Sequence, residues 1–579
     1  MRFCLFVSCL AFCLALPVIA QQREDREPEA ATGRSKKQAF TAKSYMVVAA
    51  NPFASWAGKN ILAKGGSAID AAVAVQAMLT LVEPQSSGIG GGAFILYWDN
   101  KAKKLFTIDG RETAPKAVSP DLFMLDKNTP MAWRDAVVGG KSIGVPGVLK
   151  ALDMVHKEQG KLPWNSLFSD AITQASQGFK VSDRLAKLLA AEIHPGLKQF
   201  RSSAVYFYPN GQPLAKGELK KNSLLARTLT TIANEGADSF YQGDLAKKMA
   251  VAAQFTTINP GVLSAEDFAD YKAIKRSAVC GPYKTYQVCG MAPPSSGGIN
   301  VVQILRMLEP FDLTQYPANH PDAMHLFTQA SRLAFADRDM FIADGDFSPL
   351  PFGALISQSY LNDRAKLINL SKDMGNIDAG RPFPLLSFAR DNAYELPNTS
   401  HFSIVDSEGN ALSMTTSIEF AFGSGVFVEG FLLNNQMTDF SLEPYRYGRP
   451  VLNRVEPRKR PRSAMSPTMV FDKNGDLSLL LGSPGGSRII DYVAQTLIGV
   501  LDWKLDIQQA INLPRITNRN DYTALEKGTS AELLAPALKA KGHDIKIIDL
   551  NSGLHGIQIE NGLLIGGADP RREGIAAGL

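Results

Sequence analysis

The chain has 579 residues, of which 45% are hydrophobic and 20% are charged, with 61 Lys and Arg against 56 Asp and Glu. This composition is typical of a packed globular protein and excludes a disordered or fibrous chain. The formal net charge of +5, spread over this length, is too small to indicate a nucleic-acid or membrane-surface partner.

The N-terminus has the pattern of a secretory signal peptide, predicted at residues 1–20. A positive start precedes an apolar run at 3–16, which is too short for a comfortable membrane span. Lipid attachment at Cys13 is an alternative, which the bulky Phe12 before it disfavours. We therefore expect an exported protein, periplasmic or secreted, with a polar mobile segment at 21–39.

The pattern from about 44 to 85 predicts helix. Ser67 is a plausible N-cap for the Ala-rich run that follows, which is apolar nearly all round and therefore buried. The glycine-rich stretch 86–92 follows this helix and precedes a strand at 93–98. That order is the reverse of a dinucleotide-binding loop, so the glycines predict tight backbone packing instead.

The middle of the chain, from about 150 to 390, is predicted to be mostly helical. Apolar residues recur at three- and four-residue spacing around 183–192 and 322–336. Cys280 and Cys289 flank a predicted β-hairpin. A cross-strand disulfide and two buried thiols are both compatible with this pattern.

After about residue 390 the pattern changes to short alternating strands with turn residues between them. Turns are predicted at 407–410, 472–476 and 561–562, because Asn, Asp and Gly between alternating runs are a strong hairpin signal. One helix is predicted at roughly 487–502. Antiparallel sheet with helices outside it predicts a layered sandwich.

Familiar catalytic motifs are absent from the sequence. It contains neither Gly-x-Ser-x-Gly nor His-Glu-x-x-His, and its seven His residues form no pair at ligand spacing on an obvious helix. His320 and His325 are expected to be surface or capping residues. We therefore predict neither a metal nor another cofactor.

Four polar segments are the candidates for chemistry. Residues 397–403 open a strand, and 413–419 form an unusually polar second strand. Residues 434–439 supply polar side chains directly after an apolar strand. The segment 483–487 runs from a strand into a helix, and its consecutive glycine N–H groups suit a developing oxyanion.

With these segments identified, the sequence resembles the γ-glutamyltranspeptidases (glutathione hydrolases), a family of N-terminal-nucleophile hydrolases. The resemblance covers nearly all of the mature chain. Its motifs are KGGSAIDAAVAV (64–75), GIGGGAF (88–94), DGRETAP (109–115), GVPG (144–147), APPSSGG (292–298), ADRD (336–339), TSHFS (399–403), LLNNQMTDFS (432–441), KRPRSAMSPT (459–468), GSPGGSRI (482–489) and GADPRREG (567–574).

The resemblance implies an α+β fold, the αββα sandwich of two stacked antiparallel sheets flanked by helices. It also implies that the precursor cuts itself between Asn398 and Thr399. The products would be a large subunit, residues 40–398 after export, and a small subunit, residues 399–579, which together form one integrated fold. No nucleic acid and no membrane span of the mature form are expected.

By the same resemblance, Thr399 is the nucleophile and its free α-amine is the base. An α-amine has a pKa near ~8, so a useful fraction is unprotonated at neutral pH and no catalytic His is needed. Ser417 is expected to orient the Thr399 hydroxyl, and Gly485 and Gly486 to form the oxyanion hole.

The γ-glutamyl donor, as in glutathione, carries a free α-carboxylate and an α-ammonium group. The resemblance implies that Arg111 and Ser463 bind the carboxylate, since a guanidinium matches carboxylate geometry. A structural ion pair of Arg111 with Glu112 or another acid is the alternative. The ammonium group is expected to be held by Gln436, Asp439 and Glu419. The acyl group would pass to water, an amino acid or a dipeptide.

Several positions depart from the commonest family pattern. Ala464 replaces a second consecutive serine, Glu419 stands where many members have Asn, and Ser417 replaces Thr. The segment 442–458 is shorter than in members with a long loop over the pocket. The shorter segment implies a more open pocket that accepts bulkier groups. This resembles the branch that contains cephalosporin (glutaryl) acylases, which is the alternative function; an inactive solute-binding homologue is a minor alternative.

Overall fold

The computed structural model describes residues 33–383, 388–396 and 398–579. The predicted signal peptide and most of the segment 21–39 lie outside the described residues. Residues 33–39 have no regular secondary structure, but Lys37 Nζ donates to the carbonyl oxygens of Arg572 at 2.7 Å and Gly574 at 2.5 Å. Within the described ranges, every helix is too short or too polar to cross a membrane.

The strands, in chain order, are β1 (Phe40–Ala42), β2 (Met46–Ala49), β3 (Gly92–Asp99), β4 (Lys104–Gly110), β5 (Phe179–Lys180), β6 (Leu219–Lys220), β7 (Ile274–Arg276), β8 (Val279–Tyr283), β9 (Tyr286–Gly290), β10 (Ser400–Val405), β11 (Ala411–Ser417), β12 (Phe427–Val428), β13 (Phe431–Leu432), β14 (Tyr445–Arg446), β15 (Arg449–Pro450), β16 (Thr468–Phe471), β17 (Leu477–Gly482), β18 (Ile516–Asn518), β19 (Thr523–Glu526), β20 (Ile545–Ile548), β21 (His555–Glu560), β22 (Leu563–Ala568) and β23 (Ile575–Gly578).

The α-helices are α1 (Pro52–Ala63), α2 (Ala68–Val82), α3 (Trp133–Ala136), α4 (Val148–Gln159), α5 (Ser169–Gln177), α6 (Asp183–Ala190), α7 (Arg201–Phe207), α8 (Ser223–Glu235), α9 (Asp238–Tyr241), α10 (Asp244–Gln254), α11 (Ala265–Asp270), α12 (Gly297–Leu308), α13 (Pro321–Phe341), α14 (Gln358–Ala365), α15 (Ile489–Leu501), α16 (Ile507–Asn512) and α17 (Ala535–Ala540).

Two seven-stranded antiparallel sheets form the centre of the fold. The first sheet has the strand order β1-β22-β21-β17-β16-β9-β8, and the second has the order β23-β2-β10-β11-β3-β4-β7. Side chains of a strand alternate between its two faces, and β2 follows this rule. Met46 and Val48 lie in the core shared by both sheets, whereas Val47 and Ala49 lie in the core under the outer helices.

Helices cover the outer face of each sheet. Helices α1, α2 and α4 pack on the second sheet, and α12, α15 and α16 pack on the first. The predicted αββα sandwich is therefore confirmed. Each sheet also contains strands from both sides of residue 398, so the chain before this point and the chain after it form one core.

The prediction of continuous helix over 44–85 is wrong at its start, where β2 lies. This run of four apolar residues is buried on both faces of its sheet, and a short apolar run of this kind has no period that separates strand from helix. The prediction is confirmed further along. Ser67 caps α2 through a capping box in which its side chain accepts from the amide of Asp70.

The hairpins predicted in the C-terminal part are all present. They join β10 to β11, β16 to β17 and β21 to β22. The predicted helix at 487–502 is confirmed as α15, preceded by one 3₁₀ turn. Cys280 and Cys289 are directly opposed on β8 and β9 and form a disulfide, which decides between the two alternatives in favour of the bridge.

The prediction that His320 and His325 are surface or capping residues is correct for His320 and wrong for His325. His320 caps α13, its Nδ1 accepting from the amide of Asp322. His325, by contrast, is fully buried, because α13 is enclosed on nearly every face. Its ring nitrogens lie 2.7 Å from Nε2 of His543 and 2.7 Å from the carbonyl oxygen of Asn369.

Candidate active site

The ends of two neighbouring strands bring the predicted nucleophile and its predicted partner together. Thr399 directly precedes β10, and Ser417 is the last residue of β11. The strands are antiparallel, with Ser400 opposite Thr416, so the start of one lies beside the end of the other. The sheet register therefore places two hydroxyl groups in contact although they are 18 residues apart.

The Thr399 hydroxyl lies against the peptide carbonyl group that precedes it. Its Oγ1 contacts the carbonyl oxygen of Asn398 and lies 3.2 Å from Oγ of Ser417. The Ser417 hydroxyl donates to the same carbonyl oxygen at 3.0 Å, and all three residues are buried. This arrangement suits nucleophilic attack on the carbonyl carbon, because a donor on the oxygen stabilises the charge that develops there.

The side chain of Asn398 is held by contacts of its own. Its Oδ1 accepts from Ser86 Oγ at 2.7 Å and from Arg184 Nη2 at 3.1 Å. Arg184 lies in α6 and forms an ion pair with Glu83 at 2.5 Å. Neither partner of the Asn398 side chain was predicted from the sequence, since an Arg in an amphipathic helix carries no local signal of function.

The glycine-rich stretch after α2 packs directly under the site. A Cβ atom on Gly90 would lie 2.1 Å from the carbonyl oxygen of Leu432, and one on Gly91 would lie 2.1 Å from that of Ser417. Real Cβ atoms do not approach other atoms so closely. The prediction of tight backbone packing at 86–92 is confirmed. Because these glycines have no side chain, the backbone at the end of β11 and the backbone at Leu432, just before the polar segment 434–439, can both pack against them.

The predicted oxyanion-hole glycines lie in the turn between β17 and α15. Gly485 and Gly486 have φ values of 138° and 59°, which favour glycine over any other residue. A Cβ atom on Gly485 would also lie 2.6 Å from the ring of Tyr492. Gly486 lines the same pocket as Thr399, whereas Gly485 does not. Their role toward an oxyanion stays a prediction.

One pocket collects the predicted site residues. Its empty volume is about 270 Å³. It is lined by Arg111, Glu395, Leu396, Asn398, Thr399, Ser417, Glu419, Gln436, Asp439, Ser463, Ala464, Met465, Gly486 and Ile489. Every residue that the sequence analysis placed in the site is in this set except Gly485, which is next to one of its members.

Arg111 is fully buried at one side of the pocket. Its Nη2 pairs with Oδ2 of Asp439 at 2.5 Å and donates to the carbonyl oxygen of Arg462 at 2.9 Å. Its Nη1 is 3.8 Å from Oε2 of Glu112. The ion pair is thus made mainly with another predicted site residue, and both the structural role and the substrate-binding role of Arg111 remain compatible with these contacts.

Three acids surround this one guanidinium group. Burial raises the pKa of Asp439 to about 6 in spite of Arg111, and burial raises the pKa of Glu112 to about 8. Burial, and next the charge of Asp439, raise the pKa of Glu419 well above its usual value. Within the part of the chain that the structure describes, both carboxyl oxygens of Glu419 and Oδ1 of Asp439 lack a hydrogen-bond partner. Glu419 and Asp439 are therefore two buried acids that favour a bound cation.

Glu419 also has an unusual backbone conformation. Its φ is 75°, in the left-handed region that side chains other than glycine rarely adopt. The Ser417 hydroxyl oxygen accepts from the Glu419 amide at 2.8 Å and helps to hold this conformation. Such backbone strain is often found at functional sites.

Ser463 and Ala464 line the pocket next to the segment that Arg111 contacts. The Ser463 amide donates to the carbonyl oxygen of Pro294 at 2.9 Å, and its own carbonyl oxygen accepts from the Ser296 amide at 2.7 Å. The APPSSGG motif at 292–298 therefore positions Ser463. This contact of the motif with Ser463 was not predicted from the sequence.

Glu395 is a lining residue that the sequence analysis did not identify. It is buried and accepts from Arg338 and, at 3.1 Å, from Nε of Arg462. Arg462 also pairs with Asp391 at 2.9 Å. These ion pairs join the ADRD and KRPRSAMSPT motifs beneath the pocket. Across the described residues, no group of three or more His, Cys, Asp or Glu is arranged to hold a metal ion.

Comparison with known protein families and proteins gives a consistent result. A family model described as γ-glutamyltranspeptidase matches residues 54–579. The glutathione hydrolase proenzyme of Escherichia coli (strain K12) is 37% identical over 542 residues, which cover 92% of this chain and 91% of that protein. The glutathione hydrolase proenzyme of Bacillus subtilis (strain 168) is 35% identical over 556 residues, 94% of this chain and 93% of that protein.

A solved structure extends the comparison to the fold. The cephalosporin acylase from Bacillus halodurans matches with a TM-score of 0.84 at 27% identity, over 94% of this chain and 98% of that chain. The residues that the family model matches include every residue that lines the pocket and all strands of the two sheets except β1 and β2.

Proposed function

The chain belongs to the γ-glutamyltranspeptidase family, and from this premise we propose that it is a self-processing enzyme that transfers γ-glutamyl groups through an ester on Thr399. Its donors are glutathione and related γ-glutamyl amides, and its acceptors are water, amino acids or dipeptides. The observation that carries the proposal is the contact of the Thr399 hydroxyl with the Asn398 carbonyl group. This contact lies in a pocket that is also lined by the Arg111 guanidinium group and by the buried acids Glu419 and Asp439.

Self-cleavage is the first step. The Thr399 Oγ1 attacks the carbonyl carbon of Asn398, the C–N bond breaks, and the hydroxyl proton passes to the leaving α-amine. Water then hydrolyses the ester, giving a carboxyl group on Asn398 and a free Thr399 at the start of a chain of 181 residues. Ser417, which donates to the carbonyl oxygen at 3.0 Å, is placed to stabilise the oxyanion of this step.

Acyl transfer uses the same hydroxyl group. The free α-amine of Thr399, with a pKa near ~8, accepts the hydroxyl proton as Oγ1 attacks the γ-carbonyl carbon of the donor. The C–N bond of the donor breaks, its amine leaves with the proton, and the γ-glutamyl ester remains. Gly485 and Gly486 supply N–H groups to the oxyanion. Water or an amine then takes the acyl group and regenerates Thr399.

The two ends of a glutamyl donor match the charges around the pocket. Arg111 and Ser463 bind the α-carboxylate. The α-ammonium group lies against Gln436, Asp439 and Glu419. The unpartnered carboxyl oxygens of Glu419 and Asp439 support this placement, because a buried acid without a partner gains most from a cation.

An acylase acting on glutaryl side chains is the second candidate. It is supported by the similarity to the Bacillus halodurans cephalosporin acylase, by Ala464 and by the short segment 442–458. A glutaryl group, however, has no ammonium group to place beside Glu419 and Asp439. The glutamyl donor is therefore the better match for the charges of this pocket.

The cleaved enzyme is a heterodimer of the two fragments. Both sheets mix strands from the two sides of residue 398, so a cut there leaves the fragments joined by sheet hydrogen bonds and a common core. The pattern of the first 20 residues supports export to the periplasm or the extracellular space.

One experiment tests the donor and the acids together. We expect the KM for a γ-glutamyl anilide to fall as the pH rises from 5 to 7. The pKa of Asp439 is raised to about 6, so this group becomes negative in that range and attracts the ammonium group. The KM for a glutaryl anilide, which has no ammonium group, should not fall. Initial rates on both anilides at each pH give the comparison.

Asp439→Asn is the matched variant for this test, because it keeps the size of the side chain and removes its charge. It should abolish the fall in KM for the γ-glutamyl anilide. A higher kcat/KM for the glutaryl anilide than for the γ-glutamyl anilide in the wild-type protein would identify the acylase as the correct function.

Ala464→Ser should improve binding of γ-glutamyl substrates. Ala464 lines the pocket, and a hydroxyl group here adds a donor next to Ser463 for the carboxylate. A hydrogen bond to a charged group contributes ~1.5–3 kcal/mol, so KM should fall by about 10- to 100-fold. Ala464→Cys, similar in size but a weak donor, is the control. An unchanged KM in both variants would place the donor's carboxylate away from Ser463 and Ala464.

A further inference from the structure

A buried cluster lies beside the proposed cleavage point and does not line the pocket. It consists of Glu83, Ser86 and Arg184, and we call it the Asn398 clamp. Ser86 and Arg184 both donate to Oδ1 of Asn398, at 2.7 Å and 3.1 Å. Arg184 Nη1 also pairs with Glu83 at 2.5 Å and donates to Ser86 at 2.9 Å. Both donors thus converge on Asn398, the residue before the proposed cleavage point.

The orientation of the Asn398 amide follows from this chemistry. A guanidinium group only donates, so the atom that faces Arg184 is the amide oxygen. The carbonyl oxygen of the same residue accepts from Ser417 at 3.0 Å. Asn398 is therefore held at two points, its side chain by the clamp and its peptide group by the hydroxyl groups of the site.

The loop after α2 also contacts the residues that follow the Asn398–Thr399 peptide bond. Ser87 donates to Oγ of Ser400 at 3.0 Å, and the carbonyl oxygen of Ser86 accepts from the Ile418 amide at 3.2 Å. Adjacent loop residues thus hold the residue before the cleavage point and the second residue after it. The tight packing of the glycine stretch 86–92 keeps this loop against the end of β11.

We propose that Arg184, with Ser86, is a positioning residue for self-cleavage. The two residues hold the Asn398 side chain so that the peptide carbonyl carbon of Asn398 faces the Thr399 hydroxyl. This inference rests on the proposed self-processing and extends it. Intramolecular attack depends steeply on alignment, and a displacement of about 1 Å can slow a reaction ~100-fold. A donor pair on the side chain of the acyl residue removes its freedom to turn.

A double-mutant cycle on the full chain tests this proposal. Pulse-labelled protein is followed on denaturing gels, and the rate at which the full-length chain disappears is measured for the wild type, Arg184→Lys, Asn398→Ala and the double variant. Arg184→Lys keeps the positive charge beside Glu83 and loses the forked geometry. We expect each single variant to be cleaved at least about tenfold more slowly, the effect of one lost charge-assisted hydrogen bond.

The decisive result is the rate of the double variant. If Arg184 acts through the Asn398 side chain, Arg184→Lys has no further effect once that side chain is removed, so the two effects are not additive. An equal slowing by Arg184→Lys in both backgrounds, or none in either, would overturn the proposal. Arg332→Lys is the control, because Arg332 is also buried and ion-paired, to Asp373, but lies away from the cleavage point; it should be cleaved at the wild-type rate.

A second measurement separates positioning from folding. Ser86→Ala removes a donor to Asn398 and leaves the Glu83–Arg184 ion pair in place, so it should slow cleavage with little change in the thermal midpoint of the precursor. Slow cleavage that is seen only with a large fall in that midpoint would assign the clamp a purely structural role. A wild-type chain that stays uncut would refute self-processing itself, and with it this proposal.

Discussion

Thr399→Ala should leave the protein as one uncut and inactive chain. The substitution removes the hydroxyl that contacts the Asn398 carbonyl group, so no ester forms and no α-amine is released. Nucleophile and base are lost together, and the remaining activity on γ-glutamyl anilides should be lower by at least about 10⁴-fold. Denaturing gels and N-terminal sequencing of the smaller fragment measure the cleavage, and initial rates measure the activity.

Two controls make this result specific. Thr399→Ser keeps a hydroxyl group and should still be cut, with sequencing of the small fragment starting at residue 399. Thr416→Ala removes a buried hydroxyl that donates to the Gly92 carbonyl oxygen at 3.2 Å and does not line the pocket. It should be processed normally. Fragments of normal size, or turnover, in Thr399→Ala would contradict the mechanism.

Arg111→Lys should raise the KM for γ-glutamyl anilides by about 10- to 100-fold, with a smaller change in kcat. Lysine keeps the charge beside Asp439 but cannot bind a carboxylate through two parallel hydrogen bonds. The loss of one charge-assisted bond, ~1.5–3 kcal/mol, gives this range. Saturation kinetics on the processed enzyme provide the measurement.

This variant also decides between the two roles of Arg111. If Arg111 serves only the ion pair with Asp439, Arg111→Lys should lower the thermal midpoint and leave KM unchanged. Arg458→Lys is the control, because Arg458 forms an exposed ion pair with Asp270 outside the pocket. A rise in KM in Arg458→Lys equal to that in Arg111→Lys would remove the support for substrate binding.

Much of the fold could be predicted because its signals are local. The turn at 407–410 and the cap at Ser67 depend on neighbouring residues, and both are confirmed. The strand β2 was missed, since four apolar residues buried on both faces have no diagnostic period. His325 was misplaced because its burial is decided by tertiary packing around α13.

The pocket could be predicted only through family motifs. Arg111, Thr399, Asp439 and Ser463 come from separate parts of the chain, and strand order, not local pattern, brings them together. The contact of Arg184 with Asn398 was not predicted, because the two residues are 214 positions apart in the sequence. Family motifs therefore identify residues that line the pocket more readily than residues that position the pocket-lining side chains.

Strands from both sides of residue 398 occur together within each sheet, and this has a consequence for the proposed two-fragment enzyme. Strands β2, β3, β4 and β7 share one sheet with β10, β11 and β23, so neither fragment can complete a sheet without the other. Folding of the precursor is unimolecular, whereas reassembly of separated fragments depends on their concentration. On the proposed mechanism the Asn398–Thr399 peptide bond is needed only while the precursor folds, and denaturation of the cleaved enzyme in dilute solution should be irreversible.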